Sequence, residues 1–237
     1  AEKELPVTSQ PSPEEYLALY EEAKENSEEV LVITLSSGLS GTVNAANVAK
    51  QMSEYDRIHI IDSEQAIITQ RFLVQRAVEM REAGKTVSEI VETIEDLKKR
   101  VTVCGMLDTL TYLKKGGRIT PAAAAIGTVL NLKPVLTIQG DKLDAYTKTR
   151  GMKSAFKAMC KALDKDLSGR LSGLHDQGLL KAGIAYTQMD PDTLGFFEEE
   201  MKKRYPDLEL FQLPLTMSIG CHTGPGALGI GLVRVHK

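Results

Sequence analysis

Apolar and polar positions alternate through the first half of the chain in the manner of strands followed by helices. Three apolar, β-branched runs have the length of strands, at residues 30–35, 57–61 and 101–106. Helical patterns lie between them, at residues 43–53, 64–83 and 87–100. The last of these places its apolar side chains three and four residues apart, which makes one apolar face. Strands that alternate with helices predict a parallel sheet with helices on both faces.

The first helix is predicted to begin at Pro13 and to end near residue 26. Ser12 is a good N-cap, proline suits the first helical position, and Glu14 and Glu15 favour the positive end of the helix dipole. Asp62, at the end of the second strand, is either a functional carboxylate or an acidic N-cap of the helix that follows, and the N-cap is the commoner explanation.

The pattern changes after residue 107. A short helix at 108–115 is followed by G-G-R-I-T-P and an alanine-rich helix at 122–130, and a hairpin is expected at 133–147 around Gly140 and Asp141. Further helices are predicted at 152–167 and 191–204, and further strands at 182–186, 208–213 and 230–235. The predicted fold is therefore α/β with two domains, a parallel-sheet α/β domain at 1–110 and a mixed α+β domain at 111–237.

A glycine-rich stretch at residues 219–231, I-G-C-H-T-G-P-G-A-L-G-I-G, stands just before the last predicted strand. Its five glycines surround one histidine and one proline. So much backbone freedom predicts unusual dihedral angles or a close approach of the main chain to another group. The stretch is read either as a tight crossover or as one wall of a site, and His222 and Thr223 carry its only obvious chemistry.

Hydroxyl groups are concentrated in two other segments. Residues 36–42, S-S-G-L-S-G-T, follow the first strand, where α/β sheets bind ligands, and they include Ser37 and Ser40. This hydroxyl loop has neither the G-K-[ST] ending nor a G-x-G-x-x-G pattern, so a small anion such as a carboxylate is favoured over a nucleotide. Thr8, Ser9 and Gln10 precede the first helix and could hold an anion or simply complete a turn. A capped loop remains the alternative for both segments.

Composition excludes several classes of function. The 237 residues carry a net charge of only −3, which gives no electrostatic case for nucleic acid or an anionic membrane surface. No apolar run approaches the roughly 18 residues that span a bilayer, so no stable membrane insertion is expected. The three cysteines are widely spaced, which suggests neither a disulfide framework nor a zinc site and fits a reducing cytoplasm.

Among the four histidines only His222 has a setting that suits chemistry. His59 alternates within a strand and is interpreted as structural. A serine and histidine pair with Ser37 or Ser40 would make an esterase or a phosphoryl-transfer enzyme, but there is no G-x-S-x-G elbow and no acidic orienter can be assigned. Hydroxyls and one histidine suit the binding of a carboxylate better than the breaking of a bond.

Several motifs occur in the order in which they occur in the DegV family. They are T-S-Q-P-S-P from Thr8, S-S-G-L-S-G-T at 36–42, D-S at 62–63, Y-L-K-K-G-G-R-I at 112–119, L-N-L-K-P-V-L at 130–136, K-T-R at 148–150 and the glycine-rich stretch. The chain resembles this family over essentially its whole length. The resemblance implies a bacterial, cytoplasmic fatty-acid-binding protein that presents its ligand to a separate fatty acid kinase subunit. It implies a carrier rather than an enzyme, with no cofactor besides the bound fatty acid.

In that family the acyl tail is buried in an apolar tunnel and the carboxylate is held near the domain interface. The resemblance implies carboxylate ligands at Thr8 or Ser9, Ser37 or Ser40, and His222 beside Thr223. His222 is expected to act as a donor or a positive charge rather than as a catalytic base. Arg118, from its own setting either a surface charge or a contact for an anion or partner, matches the family's G-G-R-I arginine, which implies part of the surface that meets the kinase. Family members also carry a further strand and segment ahead of T-S-Q, so the chain is expected to lack an inner strand of its first sheet.

Overall fold

The computed structural model describes residues 5–120, 132–138, 143–169 and 171–234. Contacts between Cα atoms group the chain into two units. The N-terminal unit comprises residues 9–66 and 70–99, and the C-terminal unit comprises residues up to 8, residues 67–69 and residues from 100 onward. The two units therefore do not share a single boundary in the sequence, since residues up to 8 and the start of the helix at 67–69 are grouped with the C-terminal unit. The predicted domains 1–110 and 111–237 stay a prediction.

The N-terminal unit is built on two parallel strands. Its elements are α1 (Pro13–Glu25), β1 (Val30–Thr34), α2 (Thr42–Ser53), β2 (Ile58–Asp62), α3 (Ile67–Glu82) and α4 (Val87–Leu97), followed by a 3-10 turn at Lys98–Arg100. The strands run parallel, with Val30 opposite Ile58 and Thr34 opposite Asp62. The predicted parallel arrangement is confirmed.

Sequence signals at the helix ends account for where these helices begin. The backbone N–H of Ser12 donates to the Glu15 carboxylate at 2.7 Å, and the N–H of Glu15 donates to the Ser12 hydroxyl. Thr86 and Glu89 repeat this capping box at α4. Buried apolar residues of the helices and strands then form the core of the unit, among them Ile61, Leu73, Ile90, Ile94 and Leu97.

The interpretation of Asp62 as a helix cap is wrong. Helix α3 begins at Ile67 rather than at 64, because Glu64 and Ile67 adopt positive φ angles of 53° and 59°, which place a turn between strand and helix. The Asp62 carboxylate instead accepts hydrogen bonds from the backbone N–H groups of Ser37 and Glu64. Asp62 therefore joins two loops at the end of the sheet.

The C-terminal unit contains a mixed six-stranded sheet. Its strands are β3 (Thr102–Met106), β4 (Leu132–Ile138), β5 (Leu143–Arg150), β6 (Leu180–Tyr186), β7 (Glu209–Pro214) and β8 (Leu228–Arg234), in the order β5-β4-β3-β8-β6-β7. Only β6 and β7 pair in parallel among the described strands of this sheet. The predicted mixed second domain is confirmed, as is the hairpin pairing of β4 with β5.

Strand β3 belongs to this sheet and not to the first half of the fold, where the sequence analysis placed it. It lies between β4 and β8, both of which follow it in the chain. An apolar, β-branched run identifies a strand but not its neighbours, which explains the error. The predicted helix at 122–130 and the turn at Gly140 and Asp141 lie outside the described residues.

The helices of the C-terminal unit are α5 (Thr111–Gly116), α6 (Met152–Ser168), α7 (Ser172–Asp176), α8 (Pro191–Arg204) and α9 (Met217–Thr223). Side chains of α6 and α8 pack with one face of the sheet in the largest core cluster, which includes Met106, Phe156, Leu163, Ile184, Phe197 and Ile230. This packing occupies one face of strands β3 and β8 and leaves the alternate residues of both strands to the other face.

Helix α9 corrects the reading of the glycine-rich stretch as an irregular crossover. Residues 217–223 are helical, with the N–H of Gly220 donating to Thr216 and the N–H of Gly224 donating to Gly220. The unusual backbone follows the helix, where Gly224 and Gly226 have φ angles of 74° and 73° and a Cβ on Gly224 would lie 2.4 Å from the Tyr112 ring. His222 is thereby fixed on a helix rather than in a flexible turn.

Candidate functional site

His222 and Thr8 form a hydrogen-bonded pair in the C-terminal unit. The Nε2 atom of His222, in the last turn of α9, lies 2.7 Å from Oγ1 of Thr8. The other side of the ring lies against the end of α5, where a Cβ on Gly116 would be 2.6 Å from Nδ1. Glycine at 116 is therefore what allows the ring to enter. Two residues 214 positions apart, both predicted as ligands, are brought together.

The imidazole of His222 is neutral at neutral pH. Burial lowers its pKa from 6.5, and the positive charge of Arg118 lowers the pKa further. A second positive charge on a half-buried ring next to a guanidinium is unfavourable. His222 is thus a neutral hydrogen-bonding group, and Arg118 supplies the positive charge of this region.

The Nδ1 atom of His222 is buried and has no hydrogen-bond partner within the described part of the chain. A buried N–H without a partner is rarer in proteins than a buried acceptor without one. The favoured tautomer therefore carries its hydrogen on Nε2 and donates it to Thr8. The hydroxyl hydrogen of Thr8 then remains available, so that the pair presents an oriented donor to an acceptor such as a carboxylate.

Arg118 follows α5 after Gly117, which ends the helix with φ of 70°. Its guanidinium donates to the carbonyl of Gly116, the residue that touches the His222 ring. This contact places a half-buried positive charge beside the Thr8 and His222 pair. The predicted role of Arg118 in binding a partner protein is not tested by this placement.

Thr223, next to His222, lines an apolar cavity of about 70 Å³. Strands β3, β4 and β8 form one wall, and the described lining includes Val103, Leu107, Leu113, Leu136, Leu143 and Leu228. Two lining residues carry polar side chains, and both hydroxyls donate to backbone carbonyls, Thr137 to Val103 and Thr223 to Ile219. The cavity therefore suits an alkyl chain and disfavours a polar ligand.

The hydroxyl loop lies in the N-terminal unit and is held by its own hydrogen bonds. The backbone N–H of Ser37 donates to the Asp62 carboxylate at 3.2 Å. The Ser40 hydroxyl lies 2.8 Å from that of Thr42 and accepts from the backbone N–H of Thr42 at 3.3 Å. Much of the polarity of this loop is thus used to fix its shape at the start of α2.

Gln10 of the T-S-Q motif packs against the hydroxyl loop rather than facing an anion. A Cβ on Gly41 would lie 1.9 Å from the Gln10 amide oxygen, so a larger residue at 41 would displace the end of this side chain. Ser9, the neighbouring predicted ligand, is exposed. Gln10, Gly41 and Asp62 all occur in the motifs, but the sequence does not show that their roles are contacts with other parts of the protein. Only the fold shows this.

The predicted ligands therefore fall into two sets, one in each unit. Thr8, His222, Thr223 and Arg118 belong to the C-terminal unit, whereas Ser9, Ser37 and Ser40 belong to the N-terminal unit. Each set is described within its own unit. That both sets bind one carboxylate stays a prediction.

Other kinds of site find no support in the described part of the chain. No group of three or more histidine, cysteine, aspartate or glutamate side chains within it could hold a metal ion. None of its helices combines the length and apolar character that crossing a membrane requires.

Comparison with known proteins gives matches over nearly the whole chain. A family model described as "Uncharacterised protein, DegV family" matches residues 1–235. Protein DegV of Bacillus subtilis is 34% identical over 228 residues, which are 96% of this chain and 78% of that protein.

Solved structures with a similar fold include proteins described as fatty acid binding. A DegV family protein from Thermus thermophilus, described by its fatty acid binding, is 34% identical with a TM-score of 0.85, covering 97% of this chain and 79% of that one. A stearic acid-binding protein from Eubacterium ventriosum is 25% identical with a TM-score of 0.85, covering 98% and 79%. The structure of DegV from Bacillus subtilis, described as a fatty acid binding protein, is 33% identical with a TM-score of 0.78, covering 97% and 79%.

Proposed function

The chain belongs to the DegV family, as its motifs indicated, and we propose that it binds a long-chain fatty acid and carries it as the substrate of a separate kinase subunit. The observation that carries the proposal is the apolar cavity lined by Thr223, whose neighbour in α9 is paired with Thr8. A fatty acid matches both features, because its alkyl chain suits the apolar cavity and its carboxylate suits the hydrogen-bonding pair.

The energetics of binding follow from these two parts. Each methylene group that leaves water for an apolar cavity contributes about 0.8 kcal/mol. A carboxylate, by contrast, loses free energy when it leaves water unless donors replace its hydration. Thr8, oriented by His222, supplies one donor, and Arg118 supplies a positive charge nearby. The alkyl chain thus provides most of the affinity, and the polar groups fix which end of the ligand remains outside the cavity.

Ser40 is a better candidate than Ser37 for the donor from the N-terminal unit. The Ser40 oxygen accepts from the Thr42 N–H and lies within hydrogen-bond distance of the Thr42 hydroxyl. When the Thr42 hydroxyl also donates to it, both lone pairs of Ser40 are occupied and its hydrogen is left for a ligand. Ser37 has its N–H bound to Asp62, whose negative charge is unfavourable beside a second carboxylate.

A carrier fits the state of His222 better than an esterase does. A general base needs a third group that orients its second ring nitrogen, and Nδ1 of His222 has no such partner among the described residues. The partner of its Nε2 is a threonine on the segment before α1. We therefore assign phosphorylation of the carboxylate to a separate kinase subunit, with Arg118 as part of the surface that meets it.

Native mass spectrometry of the purified protein tests ligand binding. We expect one fatty acid per chain, either retained from the expression host or taken up after delipidation, and far weaker binding of the methyl ester of the same acid. A protein that binds neither retained nor added fatty acid would contradict the proposal. Equal binding of acid and ester would remove the carboxylate site while leaving the cavity.

The carrier role has its own experiment. The loaded protein is mixed with a fatty acid kinase subunit and ATP, and acyl phosphate is measured. We expect formation of acyl phosphate to depend on this protein and, for each molecule of bound fatty acid, to fall when Arg118→Ala replaces the wild type. Acyl phosphate formed equally well without the protein would overturn the carrier role alone.

A further inference from the structure

Two glycines in the wall of the apolar cavity have no internal reason to be glycine. Gly105 of β3 and Gly229 of β8 are cross-strand partners, and both line the cavity. Neither has a positive φ angle. Among the described residues, the atom nearest to a Cβ built on either glycine would lie 3.7 Å away, an ordinary contact distance. Alanine would therefore fit at both positions.

Other glycines of the same unit do have an internal reason. Gly183 of β6 faces the side chains of Phe211 and Ile68, and a Cβ there would lie 2.6 Å and 2.9 Å from them. Gly224 combines a positive φ angle with the contact to Tyr112. At Gly183 and Gly224 the space beside the glycine is filled by the protein, whereas at Gly105 and Gly229 it is part of the cavity.

Glycine in the middle of a strand weakens the strand, because its backbone loses more freedom on folding and it brings no side chain to pack. A pair of such residues on adjacent strands needs a compensating role. Glycine within a strand often marks a place where a ligand approaches the backbone closely. The cavity is small at about 70 Å³, so that one methyl group on its floor removes a considerable share of the space.

We propose that Gly105 and Gly229 form the floor on which the alkyl chain lies, and that they determine which chains the cavity accepts. The ligand class is a straight, unbranched acyl chain, because a slender chain can lie against bare backbone whereas a branched chain or a ring needs more width than two missing methyl groups provide. This inference rests on the proposed binding of fatty acids.

Single alanine substitutions test the inference in delipidated full-length protein. Gly105→Ala and Gly229→Ala are compared with the wild type in binding a series of straight-chain acids of increasing length. Gly195→Ala is the matched control, since Gly195 lies in α8, outside the lining, with open space around it. We expect both cavity variants to keep the shorter acids and to lose affinity for the longer ones, by about fourfold for each methylene group displaced. The control should retain the profile of the wild type.

The outcomes separate this inference from the proposed function. A wild type that binds no fatty acid of any length contradicts the proposed function, and the inference falls with it. A wild type that binds, with both cavity variants showing its chain-length profile, overturns the inference alone.

Stability of the ligand-free protein provides a second readout. Gly105→Ala should be at least as stable as the wild type, because the added methyl group meets no protein atom closely, whereas Gly183→Ala should be destabilised by Phe211 and Ile68. Comparable destabilisation of both variants would show that Gly105 is required for packing, and would overturn the role assigned to it.

Discussion

The hydroxyl loop and helix α9 differ in how far their polar groups are hydrogen-bonded within the protein. In the loop, Ser37 and Ser40 form hydrogen bonds with Asp62 and Thr42 that hold the backbone in place. In α9, His222 has one nitrogen paired with Thr8 and the other buried without a partner in the described residues. A buried polar group without a partner is costly, so its retention requires a reason outside stability.

The comparison shows that a concentration of hydroxyl groups does not measure what a region offers to a ligand. The loop has more polar atoms, but most of them are already satisfied. The helix has fewer, but it orients a donor beside a positive charge and an apolar cavity. We therefore expect substitutions around α9 to affect binding more than substitutions in the loop.

The largest effect is expected from His222→Ala. Loss of the imidazole leaves the Thr8 hydroxyl without orientation, and a hydrogen bond to a charged group contributes roughly 1.5–3 kcal/mol. Affinity for fatty acid should fall about ten- to hundredfold, as measured by displacement of a fluorescent fatty acid. His59→Ala is the matched control, because His59 pairs with Glu29 on an exposed part of the N-terminal unit.

A double-mutant cycle with Thr8→Val shows whether His222 acts through Thr8. If it does, the double variant should be little worse than either single variant. Fully additive losses would mean that His222 meets the carboxylate directly and that the favoured tautomer is wrong.

A smaller effect is expected from Gly116→Ala. The added methyl group would overlap the His222 ring, and overpacking of this kind typically destabilises by about 1–3 kcal/mol. The ring should shift yet reach Thr8 part of the time, so we expect affinity to fall about three- to tenfold. Binding and thermal unfolding are measured together. Gly173→Ala in α7 is the control, since no atom of the described residues lies within 4 Å of a Cβ at that position. Equal binding by both variants would contradict the ring contact.

Many of the helices and strands could be predicted from the sequence, because local signals determine where they begin and end. The N-cap at Ser12 with Pro13 after it, the apolar face of α4 and the β-branched runs identified elements to within a few residues. Thr8 or Ser9 and His222 were named as carboxylate ligands because the resemblance to the DegV family implies ligands in the motifs that contain them. Such signals depend on neighbouring residues alone.

The remainder depends on contacts between distant residues. Nothing near Gly116 in the sequence shows that it lies against a histidine more than a hundred positions away. The place of β3 between β4 and β8 was equally invisible, since its apolar run fits any buried strand. The helical α9 was missed because its glycines suggested a turn, whereas its hydrogen bonds and packing on α5 outweigh the low helix propensity of Gly220.

Within the hydroxyl loop, Ser40→Ala should weaken binding more than Ser37→Ala. A neutral hydrogen bond contributes about 0.5–1.5 kcal/mol, so we expect a loss of about two- to tenfold for Ser40→Ala and less than about twofold for Ser37→Ala. Displacement of the same fluorescent fatty acid measures both, and the two variants serve as controls for each other. The opposite order would show that the bond between Ser37 and Asp62 does not prevent Ser37 from binding the ligand.

The smallest effect concerns pH and needs no ligand. Burial and Arg118 lower the pKa of His222 from 6.5 in the folded protein, so the unfolded chain takes up the proton first as the pH falls. The wild type should therefore lose stability relative to His222→Gln below about pH 6.5, while the difference between them stays constant above about pH 7.5. Urea unfolding of both proteins at each pH measures this difference, in which the carboxylates common to both cancel. Parallel curves throughout would mean that His222 titrates alike in the folded and unfolded chains. Burial and Arg118 would then not lower its pKa, and the contrast between α9 and the hydroxyl loop would be weakened.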